Sequence, residues 1–142
     1  MTTPLKRPPS VVQPQQCNEL GHIKVEHYFA AVSEASHVLM ADLGLEGTAD
    51  HPPDASFAVV HADTDFKASL SAGEDYQVIY WVAAIGTRSA TFEYRINRID
   101  DGAVAFETRF KSVLLGAEDG KAQEIPVDLR RALDALILKD TE

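Results

Sequence analysis

Between residues 25 and 43 the apolar side chains recur at the spacing of a helix with one buried face: Val25, Tyr28, Phe29, Val32, the weak member Ser36, Leu39, Met40 and Leu43. Gly44 follows directly and can take the left-handed conformation that closes a helix C-terminus. At the other end no Ser, Thr, Asp or Asn stands at His22, Ile23 or Lys24 to bond the first free amides. The pattern predicts the longest helix of the chain, entered from a polar loop, with an open and partly positive N-terminus where a substrate oxygen would bind.

After residue 55 the period changes from 3.6 to two. Residues 56–66 are β-rich at their start, and residues 76–85 are apolar on both alternating faces, as in a strand covered twice. Residues 89–99 alternate cleanly, with Ala90, Phe92, Tyr94 and Ile96 inward against Thr91, Glu93, Arg95 and Asn97 outward. Asp100, Asp101 and Gly102 form a hairpin turn, and residues 104–115 supply the next strand through Val104, Phe106, Phe110 and Leu114. Pro126 suits a first helical position, and Leu129, Leu133, Leu136 and Ile137 give a short last helix its apolar stripe. Val11 and Val12 begin a short edge strand that Pro14 ends. Residues 1–10, with three prolines and no core pattern, read as an extended, mobile arm, and residues 46–55 as a spanning loop marked by Gly47, Pro52 and Pro53. The expectation is α+β: one domain over residues 11–142, with a long helix whose small side residues (Ala30, Ala31, Ser33, Ala35, Ser36, Ala41) let a curved antiparallel sheet wrap it. The strand at 76–85 has one face on the helix and edges that need partners, which implies a homodimer at least.

Composition narrows the chemistry. A length of 142 residues supports one core, and a net charge of −9 argues against a nucleic-acid surface or an anionic membrane while leaving room for a local cation cluster. Cys17 is the sole cysteine, so no intrachain disulfide forms and a reducing compartment is expected. Lys6 and Arg7 precede no apolar run, as a secretory signal would require, so a soluble cytoplasmic protein is expected. His27, His37, His51 and His61 offer no pair at the i, i+4 spacing of a helical metal site, and no metal is expected.

The stretch GHIKVEHYFAAVSEASHVLMADLGL, with GEDYQVIYWVAAIGTRSATFEYRI and VAFETRFKSVLL after it, resembles the hotdog fold, and within it the 4-hydroxybenzoyl-CoA thioesterase-like family of acyl-CoA thioesterases. Gly21, His22, Tyr28, Phe29, Glu34, Ala35, Leu43 and Gly44 match the family pattern, and the likeness covers nearly everything after Val11. The resemblance implies hydrolysis of an acyl-CoA thioester to free acid and CoA, with CoA as part of the substrate and no separate cofactor. It also allows assembly as a homodimer or a dimer of dimers (homotetramer). The family's active-site Asp falls at Asn18, and a later family Asn falls at Lys24. An Asn cannot act as a general base, so Asn18 is limited to orienting a water or the thioester by hydrogen bonds.

The resemblance points to the Val25 amide as the donor for the developing oxyanion, and the missing cap agrees with it; the alternative is that a water or Asn18 caps this end structurally. For activating water, the carboxylates considered are Glu34 on the helix, acting across a dimer interface or serving in a buried network, and Glu19, one residue past the Asp position. His22 either relays a proton or fixes the loop. Cys17 reads as a packed thiol, since no base is evident beside it. Arg88 and Ser89, past the Gly86 turn, resemble the segment where the family contacts the nucleotide end of CoA, and Lys67 is a further candidate cation. Phe29, Tyr80 and Trp81 are candidates for apolar lining or for core. A binding or regulatory hotdog protein that does not hydrolyse its ligand is the alternative that Asn18 encourages. An enoyl-thioester hydratase or dehydratase using His22 with a helix carboxylate is a third possibility on the same fold.

Overall fold

In the computed structural model, which describes residues 3–47, 50 and 53–138, the predicted order of elements is present. The long helix is α1, Val25–Asp42, and the strands after it are β3 (Ala55–Phe66), β4 (Asp75–Ile85), β5 (Ser89–Arg98) and β6 (Val104–Gly116). The last helix, α2, is Val127–Asp134. Two short strands precede α1: β1 (Leu5–Lys6) and β2 (Ser10–Val11). His51 and Pro52, named in the sequence reading, lie outside the described residues.

The six strands form one antiparallel sheet in the order β1-β4-β5-β6-β3, with β2 also on β4. The face of α1 that meets the sheet is centred on Tyr28, Val32, Ala35 and Leu39. This face is rotated from the expected stripe: Ala35 joins it, Phe29, Met40 and Leu43 pack at its flank, and Val25 is 55% exposed. The helix ends as expected. Gly44 adopts φ +78, its N–H donates to Ala41 O (3.0 Å), and Leu45 N–H donates to Met40 O (2.9 Å), the paired bonds of a Schellman closure.

Ala90, Phe92, Tyr94 and Ile96 of β5 are all buried under α1, as their alternation required. Burial holds the Tyr94 phenol up at about 12, against a smaller lowering from its hydrogen bond with Ser36. The outward positions are less simple than expected. Glu93 is only 6% exposed, sealed by Arg109 at 2.7 Å and Arg95 at 3.3 Å, and the Arg95 guanidinium in turn lies 4.9 Å over the Trp81 ring. The second apolar face of β4 is thus covered within the chain.

Three expectations are corrected. Residues 5–6 and 10–11 are extended but not a free arm. Leu5 pairs with Tyr80 and Ser10 with Tyr76, and Arg7 N–H donates to Val78 O (2.9 Å), because β4 would otherwise present unpaired backbone at the sheet edge. Leu136 and Ile137 are not on the stripe of α2. The helix stops at Asp134, and Leu136 O accepts the Val82 N–H (3.1 Å) next to a register shift in β4. The edge of β4 is therefore occupied, and among the described residues the edge left open is that of β3, where Val59, Val60 and Phe66 are each more than half exposed.

A raised phenol pKa stabilises the fold fully below the unfolded value of about 10, and that stability is lost as pH rises toward about 12. The free energy of unfolding, measured in urea between pH 9 and 12, is expected to fall with a Tyr94 contribution of at most about 1.4 kcal/mol per pH unit. Tyr94→Phe should flatten that limb, leaving the smaller slope from Tyr28 and Tyr80, whose phenols burial also raises.

Candidate active site

The loop before α1 is a small closed structure. Asn18 N–H donates to His22 O (2.8 Å), Gly21 N–H donates to Asn18 O (2.9 Å), and Gly21 takes φ +81, which explains a glycine there. The Asn18 side chain completes it: Oδ1 accepts the amides of Leu20 (2.9 Å) and His22 (3.1 Å). Ile23 N–H then donates to Leu70 O (2.8 Å) and Lys24 N–H to Gln16 O (2.9 Å), so the chain enters α1 held on both sides.

At that entrance Lys24 is the N-cap and provides no side-chain cap. His27 N–H closes back onto Lys24 O (3.0 Å), while the amides of Val25 and Glu26 meet no acceptor among the described residues. Asn18 does not cap this end, because its oxygen is spent on its own loop. The open donors expected from the sequence are therefore present, with Asn18, Glu19 and His22 on the loop that leads into them. Glu19 and His22 are both exposed.

Glu34 is elsewhere. It is nine residues after Val25, about 14 Å along the axis, and it faces a cleft of 110 Å³ lined by Arg7, Pro8, Ser10, Ala31, Tyr76 and Val78. That flank looks toward the β1 and β2 edge, away from β3. The buried network does not fit this position, since Glu34 is exposed. The flank facing β3 carries Phe29, whose ring meets Phe106 edge-on at 5.3 Å. Phe66 continues this aromatic group, 5.8 Å from Tyr28 and 5.2 Å from Phe106. Next to it on β3 the Thr64 and Thr108 hydroxyls lie 2.7 Å apart. Of the expected lining residues only Phe29 is suitably placed: Tyr80 is core, and Trp81 lies on the outer face under Arg95. The period-two phase of Ala62, Thr64 and Phe66 would have marked the β3 strip; which strand held the open edge was not readable.

The candidate cations are not one cluster. Lys67 N–H donates to Ala105 O, whereas Leu114 N–H donates to Arg88 O, and the nine steps along β6 from Ala105 to Leu114 span about 30 Å. Lys67 is also engaged, its Nζ 3.4 Å from Glu107. Arg88 is exposed on the β4–β5 turn, where Gly86 N–H donates to Ser89 O (2.7 Å) and a Cβ at Gly86 would meet Ser89 Oγ at 2.7 Å.

Residues 12–133 match the family model described as the thioesterase-like superfamily. The chain belongs to that superfamily. Among solved structures, a 12:0-ACP thioesterase from Umbellularia californica matches with TM-score 0.81 and 13% identity over 96% of this chain and 55% of that one. A Staphylococcus aureus protein in complex with CoA matches with TM-score 0.77 and 10% identity over 100% and 90% of the two chains. The 1,4-dihydroxy-2-naphthoyl-CoA thioesterase from Synechocystis matches with TM-score 0.75 and 15% identity over 93% and 96%. A comparison with curated proteins finds no match. This thioesterase-like chain thus has the hotdog fold of these structures, with α1 as its long central helix.

Asn18→Asp keeps an oxygen for the Leu20 and His22 amides, whereas Asn18→Ala removes it. Hydrogen exchange followed by NMR should show faster exchange at those two amides in the alanine variant and native protection in the aspartate variant.

Proposed function

We propose that the protein hydrolyses an acyl-CoA thioester, and the observation that carries this reading is the uncapped N-terminus of α1 behind the Asn18 loop. The thioester carbonyl oxygen accepts the Val25 amide, which stabilises the negative charge that develops when water attacks the carbonyl carbon. The tetrahedral intermediate then collapses, the C–S bond breaks, the thiolate of CoA leaves, and the acid is released. Asn18 orients the water through Nδ2, the side-chain group its loop leaves free. The water proton passes to Glu19 or His22, since Asn18 has no basicity and Glu34 faces the other edge.

The open β3 edge supports a homodimer in which two β3 strands pair antiparallel. Such pairing reverses one protomer against the other, so the Arg88 turn of one lies at the same end of the joint sheet as the α1 N-terminus of its partner. The cations separated within a protomer then serve different parts of one substrate. On the outer sheet face Glu93, Arg95, Glu107 and Arg109 are paired with one another within the protomer, which gives no support to a dimer of dimers through these four. The lone Cys17 and the acidic surface fit a cytoplasmic protein without nucleic-acid or membrane partners. A second reading, acyl-thioester binding without turnover, is favoured by Asn18 alone.

A panel of short, long and aromatic acyl-CoAs, assayed for free thiol alongside ligand binding, separates the two. Hydrolysis is expected, with Asn18→Asp raising kcat about tenfold or more by supplying a carboxylate; general-base catalysis contributes about 10²–10⁴-fold in favourable cases. Binding with no thiol release by either protein would leave only the second reading. Of Glu19→Gln and His22→Gln, the one that abolishes turnover identifies the proton acceptor.

Val60→Lys, placed on the exposed edge, is expected to give a monomer by sedimentation equilibrium with thiol release lost in parallel. A stable dimer of this variant would remove the proposed pairing.

A further inference from the structure

Helix α2 does more than cover the end of the core. The Nη2 group of Arg130 donates to Gly86 O (2.8 Å) and to Thr87 O (3.4 Å), reaching 44 residues back along the chain to the β4–β5 turn. Thr87 O also accepts the Ile125 N–H (3.0 Å), Arg88 O accepts the Leu114 N–H (2.9 Å), and Ser89 O accepts the Gly86 N–H (2.7 Å). Every carbonyl from Gly86 to Ser89 is therefore held by a donor. The partial negative charges of this turn are occupied from behind, and the charged group it exposes is the Arg88 guanidinium, which only donates. Arg130 adds a second guanidinium whose Nη1 and Nε make no hydrogen bond among the described residues. In a chain of net charge −9, this is a local concentration of cationic donors on a rigid backbone.

We infer that Arg130 is a positioning residue for a phosphate-binding turn, holding Gly86 and Thr87 so that Arg88 meets the phosphates of a nucleotide-bearing thioester. The inference rests on the acyl-CoA reading above and adds to it the role of Arg130: through the turn it holds, Arg130 favours acyl groups carried on CoA over the same groups on a thiol without phosphate. Arg130 contributes at the phosphate end only, so it acts on substrate capture and not on the bond that breaks.

The test compares an acyl-CoA with the N-acetylcysteamine thioester of the same acyl group at low ionic strength. Arg130→Ala is expected to lower the ratio of kcat/KM for acyl-CoA to that for the truncated thioester about tenfold, through the KM for acyl-CoA with kcat retained. Arg130→Lys, which can still reach one carbonyl, should recover part of the ratio, and Arg88→Ala should lower it as Arg130→Ala does. Lys111→Ala, which removes an exposed cation from β6, should leave it unchanged. An unchanged ratio in Arg130→Ala, or equal losses on both substrates, would overturn the inference. If wild type turns over neither thioester, the hydrolytic reading fails separately. The inference is then decided by the Kd of an acyl-CoA thioether analogue, which Arg130→Ala must weaken about tenfold if the turn binds phosphate and must leave unchanged if it does not.

Discussion

One helix has to cover a sheet wider than itself. With side chains, α1 is about 10–12 Å across, whereas four long strands and the β1–β2 strap span about 19 Å at about 4.8 Å per strand. Tyr28, Val32, Ala35 and Leu39 close the cover over the middle of the sheet, and burial of Phe92, Tyr94, Ile96 and Phe106 beneath them is what fixes the helix in place. The shortfall is not shared evenly. The N-terminal strands and the 136–137 segment take the β4 edge, so the uncovered strip falls along β3. The open edge, the exposed Phe66 and the half-open aromatic flank beside the α1 N-terminus all follow from that one mismatch.

The opposite face of the sheet meets a different constraint. Among the described residues no helix covers it, yet it carries Trp81 and Glu93, which are both buried. Cross-strand register resolves this: Glu93 is opposite Trp81 on β4 and Arg109 on β6, and Arg95 is opposite Glu107. Long cationic side chains lie over apolar and acidic neighbours and keep their charges in partial contact with water. Around Trp81 and Glu93 the face is closed by its own side chains.

The catalytic question turns on how Asn18 is used. Its oxygen folds the loop, and that duty is one an aspartate performs equally well, so the loop geometry is indifferent to whether an amide or a carboxylate stands there. In the proposed reaction the carbonyl is met by backbone amides, and these are left open by what Lys24 lacks. The two functions therefore rest on different atoms of the same few residues, and the shape of the loop by itself says nothing about basicity.

Much of the architecture was legible in the chain because it depends on local periodicity. The phase of Ala90, Phe92, Tyr94 and Ile96, the helix stop at Gly44, the Asp101–Gly102 turn and the absent cap at Lys24 are each determined within a few residues. So was family membership, through the Gly21–His22 loop and the aromatic start of the helix. Tertiary structure alone decided which edge stayed open, which flank Glu34 occupied, that Lys67 and Arg88 stand at opposite ends of β6, and that Arg130 holds a turn 44 residues away. Periodicity specifies which side of an element is buried, but it carries no information on strand order or on which segments compete for an edge. Those are settled only when the whole sheet assembles and each backbone group finds its partner.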